Sequence, residues 1–575
     1  MRYRTGAGWS MVVVALMCAA PSWMGEMHGR VQVVGRQAGD LDAEVAAVAA
    51  LEGEPSVVSA GGLTLDLAPL VTLENPSPFD PPGPRRRLVL VGGLDGNPES
   101  ARVVLDAVRW FKTDATADDR ERWSVSALPL ANPGGTPDIF PPDEGFFSDG
   151  EHPETRYVWR WVTYQTPDLV IEVRAGNALQ IQSSDGRDGP FNRLPRGSLA
   201  AALSDPDTAN RPGPVDTMLV RASDGAGALR AVLALAGEAR SVLRQTITER
   251  IEREPLEVAR LLAARYPRAA SIAYIPAVAW VHTLRLAALT EDSRLRDQVL
   301  ADVRPWLEGE QPIVGDRVSL AGLAGTMVFA EIAKSARDTA VEAAAAGLAA
   351  EGIALAAAET ESGMPEHGSG WTDDMFLGTI AAVTARDPDG LAAATRLLVR
   401  YGGELQQADG IFHHSPEAPT AWGRGNGFAA LGLTETLTVL PSEHPARTAI
   451  MEIYHRHMSG LRDQQAPDGM WRQVVDVPGS YRELSVTALT VTSMARGLQL
   501  GWLDESYAEV VERGWRGLLA HIDRDGVLVD VCISTGDGPT LRHYLDRTAV
   551  NGADDRGGAL ALGAALEMYA LLESR

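Results

Sequence analysis

Polar and aromatic residues cluster at the predicted starts of several helices in the second half of this chain. The clustered residues are Trp371, Asp373, Asp374, Trp422, Arg424, Asn426 and Tyr481, and His414 lies on a loop between two of these helices. A carboxyl group can transfer a proton, a guanidinium can pair with a carboxylate, and an indole can offer its face to a ligand. Helix capping explains any one cluster alone, because an Asp at a helix start accepts bonds from free backbone N–H groups. Their recurrence at corresponding helix ends favours a binding or catalytic site.

These clusters lie between about residue 255 and 575, where helical windows rich in Ala, Leu and Val dominate. There are about twelve such windows, including 317–334 and 371–386, and the loops between alternate pairs are rich in Gly, Asp and Trp. A repeated helix pair cannot bury its apolar face alone, so the pairs must pack on one another. We predict an all-α (α/α)6 barrel over 255–575 with its loops gathered at one mouth. An open α-solenoid is the alternative, which the lack of a fixed repeat length disfavours.

An α/β domain is predicted ahead of the helical region, over residues 85–245. Short apolar runs at 87–92, 123–130 and 168–173 are typical of buried strands, and helical or loop segments separate them. This alternation predicts a mostly parallel or mixed sheet. Residues 26–84 are rich in Gly and Pro and lack clear periodicity, so we predict an N-terminal extension or linker there.

Residues 1–25 are typical of a secretory signal peptide. Arg2 and Arg4 precede an apolar run at 10–20 that is too short to span a bilayer. We therefore expect export to the periplasm or the outside of the cell. Cys18 would leave with the leader, so Cys532 would remain without a disulfide partner in the chain. A lipoprotein anchor at Cys18 is an alternative that the bulky preceding residue disfavours.

The charge balance excludes several classes of partner. The chain of 575 residues has 52 Lys and Arg against 76 Asp and Glu, a net charge of −24, and 45% of its residues are hydrophobic. Such a charge repels nucleic acid and anionic membranes, while the apolar content is ample for large cores. We predict no nucleic-acid partner, no membrane span and no obligate protein partner.

The region from about 270 to 575 resembles the unsaturated glucuronyl and rhamnogalacturonyl hydrolases, glycoside hydrolase families 88 and 105. Five ordered strings carry the resemblance: WTDDMFL at 371–377, GIFHH at 410–414, WGRGNGF at 422–428, DGMWRQ at 468–473 and SYRELSVTA at 480–488. The resemblance implies an (α/α)6 barrel, an acidic oligosaccharide substrate and no metal or organic cofactor. It also implies that the enzyme hydrates the C4=C5 vinyl ether of an unsaturated uronate with one carboxyl group, whereas ordinary glycosidases use two.

By this resemblance Asp373 matches the catalytic acid/base, and Asp374 is the fallback. The implied substrate-binding set is Asp316, Trp371, Asp374, His414, Trp422, Arg424, Asn426 and Tyr481. Within it, Arg424 would pair with the uronate carboxylate, and the two tryptophans would stack on sugar. The chain departs from the family at Phe428, which replaces a Trp, and at Arg556, which replaces a His.

Two other functions stay open from the sequence. One is a catalytically inactive carbohydrate-binding protein, which the joint presence of Asp373, His414 and Arg424 disfavours. The other is a different (α/α)6 sugar enzyme, either a lyase or an epimerase; an epimerase would be expected to add paired histidines at the mouth.

The 85–245 domain faintly resembles the zinc carboxypeptidases. The positions that compare with zinc ligands and their neighbours hold Asp95, Pro98 and Arg174. A cation at a ligand position opposes metal binding, because zinc needs neutral imidazoles or carboxylates. We predict a degenerate, noncatalytic relative of that fold, with an unrelated α/β domain as the alternative.

Overall fold

The computed structural model describes residues 36–54, 56–75, 78–80, 83–135, 139–142, 153–185, 193–208, 212–533 and 536–575. The predicted leader at 1–25, with Cys18, lies outside these ranges. Two bodies are present, an N-terminal α/β body and a C-terminal helical body.

The N-terminal body is built on a seven-stranded mixed sheet in the order β1-β2-β4-β3-β5-β7-β6. Its strands are β1 (Val57–Leu63), β2 (Pro69–Glu74), β3 (Arg86–Gly92), β4 (Trp123–Leu128), β5 (Leu169–Ala175), β6 (Gln180–Ser183) and β7 (Asp216–Ala222). The neighbours β4-β3-β5-β7 are parallel, and the outer strands β1, β2 and β6 pair antiparallel. The three strands predicted from apolar runs are β3, β4 and β5, which are almost fully buried because structure covers both faces.

The predicted extension at 26–84 is wrong over residues 57–74. This segment forms the antiparallel hairpin β1-β2, and Leu73 of β2 pairs with Ala127 of β4 to join the central sheet. Two glycines in β1 weaken its strand signal, yet the strand is buried because its neighbours pack closely on it. The sheet therefore begins before residue 85.

Helices cover this sheet and connect it to the second body. They are α1 (Arg36–Ala49), α2 (Pro98–Thr113), α3 (Ala117–Arg122), α4 (Pro153–Tyr164), α5 (Leu199–Ser204), α6 (Gly225–Leu235) and α7 (Val242–Ile251). α2 and α6 pack together on one side, while α4 contacts β1 and faces the second body.

Six helices of the C-terminal body contact one another in a closed ring. In order around the ring they are α9 (Tyr274–Thr290), α12 (Met327–Ser335), α15 (Ile380–Ala385), α17 (Gly423–Val439), α19 (Leu484–Gln499) and α22 (Asp555–Ser574), and α22 returns to α9. Each packs on an outer helix; in the same order these are α10 (Ser293–Leu307), α13 (Thr339–Ala356), α16 (Pro388–Glu404), α18 (Arg447–Asp463), α20 (Ala508–Ala520) and α8 (Pro255–Ala263). An inner helix must be apolar on nearly all sides, and α17 is buried from Gly423 to Leu437.

The helical body differs from the prediction in three places. The helix predicted at 371–386 is divided into α14 (Asp374–Leu377) and α15, where the Thr379 hydroxyl donates to the Met375 carbonyl 2.9 Å away and bends the chain. The helix predicted at 317–334 is α11 (Leu320–Leu323), a 3-10 turn and α12. A short hairpin, β8 (Leu528–Cys532) and β9 (Ala549–Gly552), encloses α21 (Leu541–Leu545), where no strand is predicted.

The two bodies share a hydrophobic core that includes Tyr157 and Trp159 from the first and Tyr481 and Tyr544 from the second. At its edge Arg160 of α4 donates from Nε and Nη2 to the Asp530 carboxylate of β8, at 2.8 and 3.1 Å. A bidentate pair of this kind fixes the relative orientation of its two partners.

One described helix, α13, is long and apolar enough by length and composition to cross a membrane. This helix is rich in alanine, and it packs on α12 as an outer helix of the ring.

Candidate active site

Asp373 and His414 lie side by side at one end of the ring. Asp373 immediately precedes α14, and His414 lies in the loop between α16 and α17. The Asp373 Oδ2 is 3.2 Å from His414 Nε2, and His414 Nδ1 is 2.7 Å from the Tyr544 hydroxyl. All three residues are buried, with at most 3% of any one of them exposed. This carboxylate, imidazole and phenol chain can hold and move a proton.

Backbone bonds fix the loop that carries His414. The His414 carbonyl accepts the Thr372 N–H, and the His414 N–H donates to the Thr420 carbonyl, both at 2.9 Å. Asn426 accepts the Phe412 N–H at 2.8 Å and donates to the Phe412 carbonyl at 2.9 Å. The Asn426 amide is thereby engaged with backbone, so this predicted substrate-binding residue positions the histidine loop instead.

The two predicted tryptophans have different surroundings. Trp371 is partly exposed, and its ring centroid lies 5.3 Å from that of His414. Trp422 is fully buried, with its centroid 4.7 Å from that of His414 and the Arg547 guanidinium 5.3 Å from the indole. The exposed part of Trp371 can therefore contact a ligand, whereas the buried Trp422 packs against His414 and supports it.

Arg424 is fully buried at the start of α17 with part of its fork unused. Its Nε donates to Ser485 Oγ at 3.0 Å, and its Nη2 donates to the Cys532 carbonyl. Within the described ranges, Nη1 has no hydrogen-bond partner. Burial alone would lower the pKa of Arg424, but Cys532 and the Glu483 carboxylate outweigh it and raise that pKa, so the guanidinium stays charged. A buried charged N–H without a partner is costly, and a ligand anion would remove that cost.

Asp374, the fallback acid, is committed to the fold. Its carboxylate accepts the Ser369 and Gly370 N–H groups, both at 2.8 Å, the Ser369 hydroxyl at 2.9 Å and the Tyr401 hydroxyl at 3.0 Å. Burial raises the pKa of Asp374 to about 6, against the opposing effect of these hydrogen bonds. Asp374 therefore anchors the loop ahead of Asp373.

The other two predicted residues lie away from this contact chain. Tyr481 is buried at the interface of the two bodies, with the Arg160 guanidinium 4.7 Å from its ring centroid. Asp316 is exposed in the loop before α11. The assignment of Asp316 to the substrate site stays a prediction.

Sequence reasoning missed the residues that hold His414 and Arg424. Tyr544 is 130 positions from His414 and belongs to no recognised string. Ser485 and Glu483 lie inside the string at 480–488, where the Ser485 hydroxyl, whose oxygen accepts from Arg424, donates to the Glu483 carboxylate. The capping pattern at Glu483 was the available signal, since its side chain accepts the N–H groups of Ser485 and Val486.

In the N-terminal body, Arg174 of β5 donates from Nε to the buried Glu172 carboxylate at 2.9 Å. Among the described residues, no three or more His, Cys, Asp or Glu side chains form a group that could hold a metal ion. The degenerate carboxypeptidase relationship stays a prediction.

A closed helical ring with a carboxylate, an imidazole and a buried guanidinium at one mouth defines a barrel suited to acid–base chemistry on an anionic ligand. Comparison with known proteins gives a family match for part of this region. Residues 392–572 match the family described as Glycosyl Hydrolase Family 88. This match confirms the predicted resemblance over those residues.

Individual relatives share shorter segments. An unsaturated 3S-rhamnoglycuronyl hydrolase from Alteromonas sp. (strain LOR) is 33% identical over 111 residues, 19% of this chain and 27% of that protein. The unsaturated rhamnogalacturonyl hydrolase YesR from Bacillus subtilis (strain 168) is 28% identical over 114 residues, 20% of this chain and 31% of that protein. This chain therefore spans less than a third of the length of either relative. A solved family 105 glycoside hydrolase from C. acetobutylicum ATCC 824 is 18% identical with a TM-score of 0.49, over 54% of this chain and 99% of that one.

Proposed function

We propose that this protein is an exported hydrolase of oligosaccharides that end in a 4,5-unsaturated uronate, and that its ring of helices is an (α/α)6 barrel. The observation that carries the proposal is the hydrogen bond between Asp373 and His414 at the barrel mouth, where Trp422 lies against both His414 and Arg424. The family 88 match over 392–572 supports the same reaction class.

In the proposed reaction Asp373 is both acid and base. Its carboxyl group gives a proton to C4 of the C4=C5 vinyl ether, which leaves an oxocarbenium ion at C5. Water then adds to C5, and its proton passes to the Asp373 carboxylate. The resulting hemiketal opens, and the hemiacetal at C1 collapses to release the next sugar. The proton and the water are balanced, so a single carboxyl group suffices.

His414 would hold Asp373 in position and share its proton. Burial raises the pKa of Tyr544 to about 12, so its phenol stays neutral and can donate to His414 Nδ1. His414 then has Nε2–H to donate to Asp373 Oδ2, which leaves Oδ1 to face the substrate. With Nε2–H held on Oδ2, the proton that Asp373 gives to C4 and later takes from water lies on Oδ1 in both halves of the reaction.

Arg424 would bind the uronate carboxylate through Nη1. Ser485 and the Cys532 carbonyl fix the other two donors of its fork, so the remaining donor is pre-oriented. The mouth also collects the N-terminal ends of α17 and α19, whose partial positive charge favours an anion. These contacts act at short range, whereas salt screens the net charge of the chain within about 10 Å.

The proposal is tested by mixing the purified chain with oligosaccharides made by a polysaccharide lyase. We expect loss of the ultraviolet absorbance of the alkene and, in equal amount, release of the neighbouring sugar. Persistence of the absorbance with rhamnogalacturonan, ulvan and glucuronan products alike would exclude the proposed reaction.

A further inference from the structure

The N-terminal body contacts strand β8 of the C-terminal body at a point where that strand is irregular. The pairing of β8 with β9 shifts register between Leu528 and Val531, and Asp530 between them has φ 65°, in the left-handed region that favours glycine. An irregularity of this kind bends a strand and re-aims the residues after it, and it persists only where surrounding contacts hold it. A two-stranded hairpin does not supply that support by itself.

The contact that holds this irregularity comes from α4. Arg160 donates from Nε and Nη2 to the Asp530 carboxylate, at 2.8 and 3.1 Å, and the two side chains are 6% and 0% exposed. The Asp530 N–H donates to Asn551 Oδ1 of β9 at 3.1 Å. Two bonds between a guanidinium fork and a carboxylate fix direction as well as distance, so α4 sets where this part of β8 lies.

Strand β8 then reaches the arginine at the mouth. Two residues after Asp530, the Cys532 carbonyl accepts Arg424 Nη2. The Cys532 N–H donates to Glu483 Oε1 at 2.9 Å. The Glu483 carboxylate also accepts the Ser485 hydroxyl, whose oxygen accepts Arg424 Nε at 3.0 Å. Both donors that orient the Arg424 fork are therefore bonded to Cys532, one directly and the other through two side chains.

We propose that Arg160 of the N-terminal body is a positioning residue for Arg424 and acts through Asp530 and Cys532. The proposal rests on the proposed function, in which Arg424 Nη1 binds the uronate carboxylate. A displacement of about 1 Å at a binding group can cost about 100-fold in rate, so the placement of β8 matters to the reaction. The N-terminal body would thereby contribute to substrate binding without touching the substrate.

The test measures kcat and KM on an unsaturated uronyl disaccharide and on its methyl ester, which lacks the charge that Arg424 binds. We expect Arg160→Gln to raise KM for the acid about tenfold while kcat changes by less than about twofold, because the fork is misplaced and not removed. The kcat/KM of the ester should stay unchanged. Arg160→Lys keeps the charge and should recover part of the KM.

Two control variants separate positioning from stability. Arg516→Gln removes another contact between the bodies, the 2.7 Å bond from Arg516 Nη1 of α20 to Asp80. Arg496→Met removes a buried, ion-paired arginine from the other end of the ring. Both should leave KM for the acid unchanged. An equal loss on acid and ester in Arg160→Gln, or an equal rise in KM in either control, would overturn the positioning role.

A second variant covers the case in which Arg160→Gln does not fold, since it leaves the Asp530 carboxylate buried without its fork. Combining Arg160→Gln with Asp530→Asn makes the pair neutral, and the two amides can share a hydrogen bond. We expect the loss in this double variant to be confined to the acid. A wild-type KM for the acid would contradict the proposal.

Should neither substrate react with the wild type, the proposed reaction fails and the positioning role is judged by hydrogen exchange. The double variant should exchange faster in β8 and also at the start of α19, where the Ser485 and Val486 N–H groups donate to Glu483. Arg516→Gln should alter neither segment. Unchanged exchange at the start of α19 would show that Arg160 does not act beyond β8.

Discussion

The two ends of the helical ring use the same kinds of buried charge in opposite ways. At the mouth, Arg424 at the start of α17 keeps one donor without a protein partner within the described ranges. Further along α17, Glu435 lies 3.4 Å from Arg496, which also binds Glu567 of α22. Burial raises the pKa of Glu435, but Arg496 and Arg285 outweigh it and lower the pKa to about 2. Satisfied charges fix the barrel, whereas the unsatisfied donor at the mouth is available to a ligand.

The largest effect on stability is expected at the end of the ring where Arg496 binds Glu435 and Glu567. Arg496→Met leaves the Glu435 and Glu567 carboxylates buried without their shared partner, which typically costs about 3 to 5 kcal/mol. Denaturant unfolding followed by circular dichroism measures this loss. Activity per folded molecule should stay unchanged, and a variant that unfolds normally but loses activity would contradict the division between the two ends.

The next effect concerns Asp374, which lies at the mouth although its carboxylate, like that of Glu435, is bound by other groups of the protein. Its pKa is about 6 in the fold against 3.8 as the ordinary value, so its contribution to stability is complete below pH 4 and is lost as pH rises through 6. Asp374→Asn keeps the acceptor oxygen and cannot ionise. Relative to wild type it should gain up to about 3 kcal/mol in the free energy of unfolding between pH 4 and pH 7.

Unfolding curves of both proteins across that pH range measure the difference directly. Taking the difference cancels the contributions of other groups, such as Asp530, whose pKa burial also raises to about 6. A constant difference from pH 4 to pH 7 would show that Asp374 does not titrate there.

A smaller effect is expected at Arg424, whose Nη1 has no hydrogen-bond partner within the described ranges. Arg424→Lys keeps the charge but loses the fork, so the bond to the uronate carboxylate is lost and kcat/KM should fall about 10- to 150-fold. The methyl ester of the same substrate lacks the carboxylate charge and should react with both enzymes at similar low rates. An equal loss on acid and ester would show that Arg424 only supports the fold.

The smallest effect is expected for Tyr544, whose hydroxyl lies 2.7 Å from His414 Nδ1. Tyr544→Phe removes one hydrogen bond, worth about 0.5 to 1.5 kcal/mol, so kcat should fall about 2- to 13-fold with KM unchanged. The pH dependence of kcat should shift as well, since Tyr544 no longer favours one tautomer of His414. A change in KM alone would remove Tyr544 from the proton path.

Much of the site was predictable because its residues lie in short strings. Asp373, His414 and Arg424 each have a neighbour pattern that marks them. Tyr544 has none, because it reaches His414 only through the fold of the β8-β9 hairpin. The role of Trp422 was predicted differently because Arg547, which covers it, is 125 positions away.

Asp373 and Asp374 show a distinction that the sequence alone could not predict. They are adjacent acids in one string, and only their partners separate them: Asp374 binds Ser369, Gly370 and Tyr401, whereas Asp373 binds His414. In the fold, continuous apolar runs identified the parallel strands of the sheet. The glycines of β1 hid an outer strand whose burial depends on partners elsewhere in the chain.

The most direct test of the account compares that adjacent pair. Asp373→Asn and Asp374→Asn differ by one position and make the same chemical change, so each serves as the control for the other. Loss of the alkene absorbance of an unsaturated uronyl disaccharide, measured at equal concentrations of folded protein, is the readout. We expect Asp373→Asn to be about 100- to 10,000-fold slower than wild type and Asp374→Asn to retain activity within about tenfold. Normal turnover by Asp373→Asn, with activity lost in Asp374→Asn, would contradict the assignment of the acid.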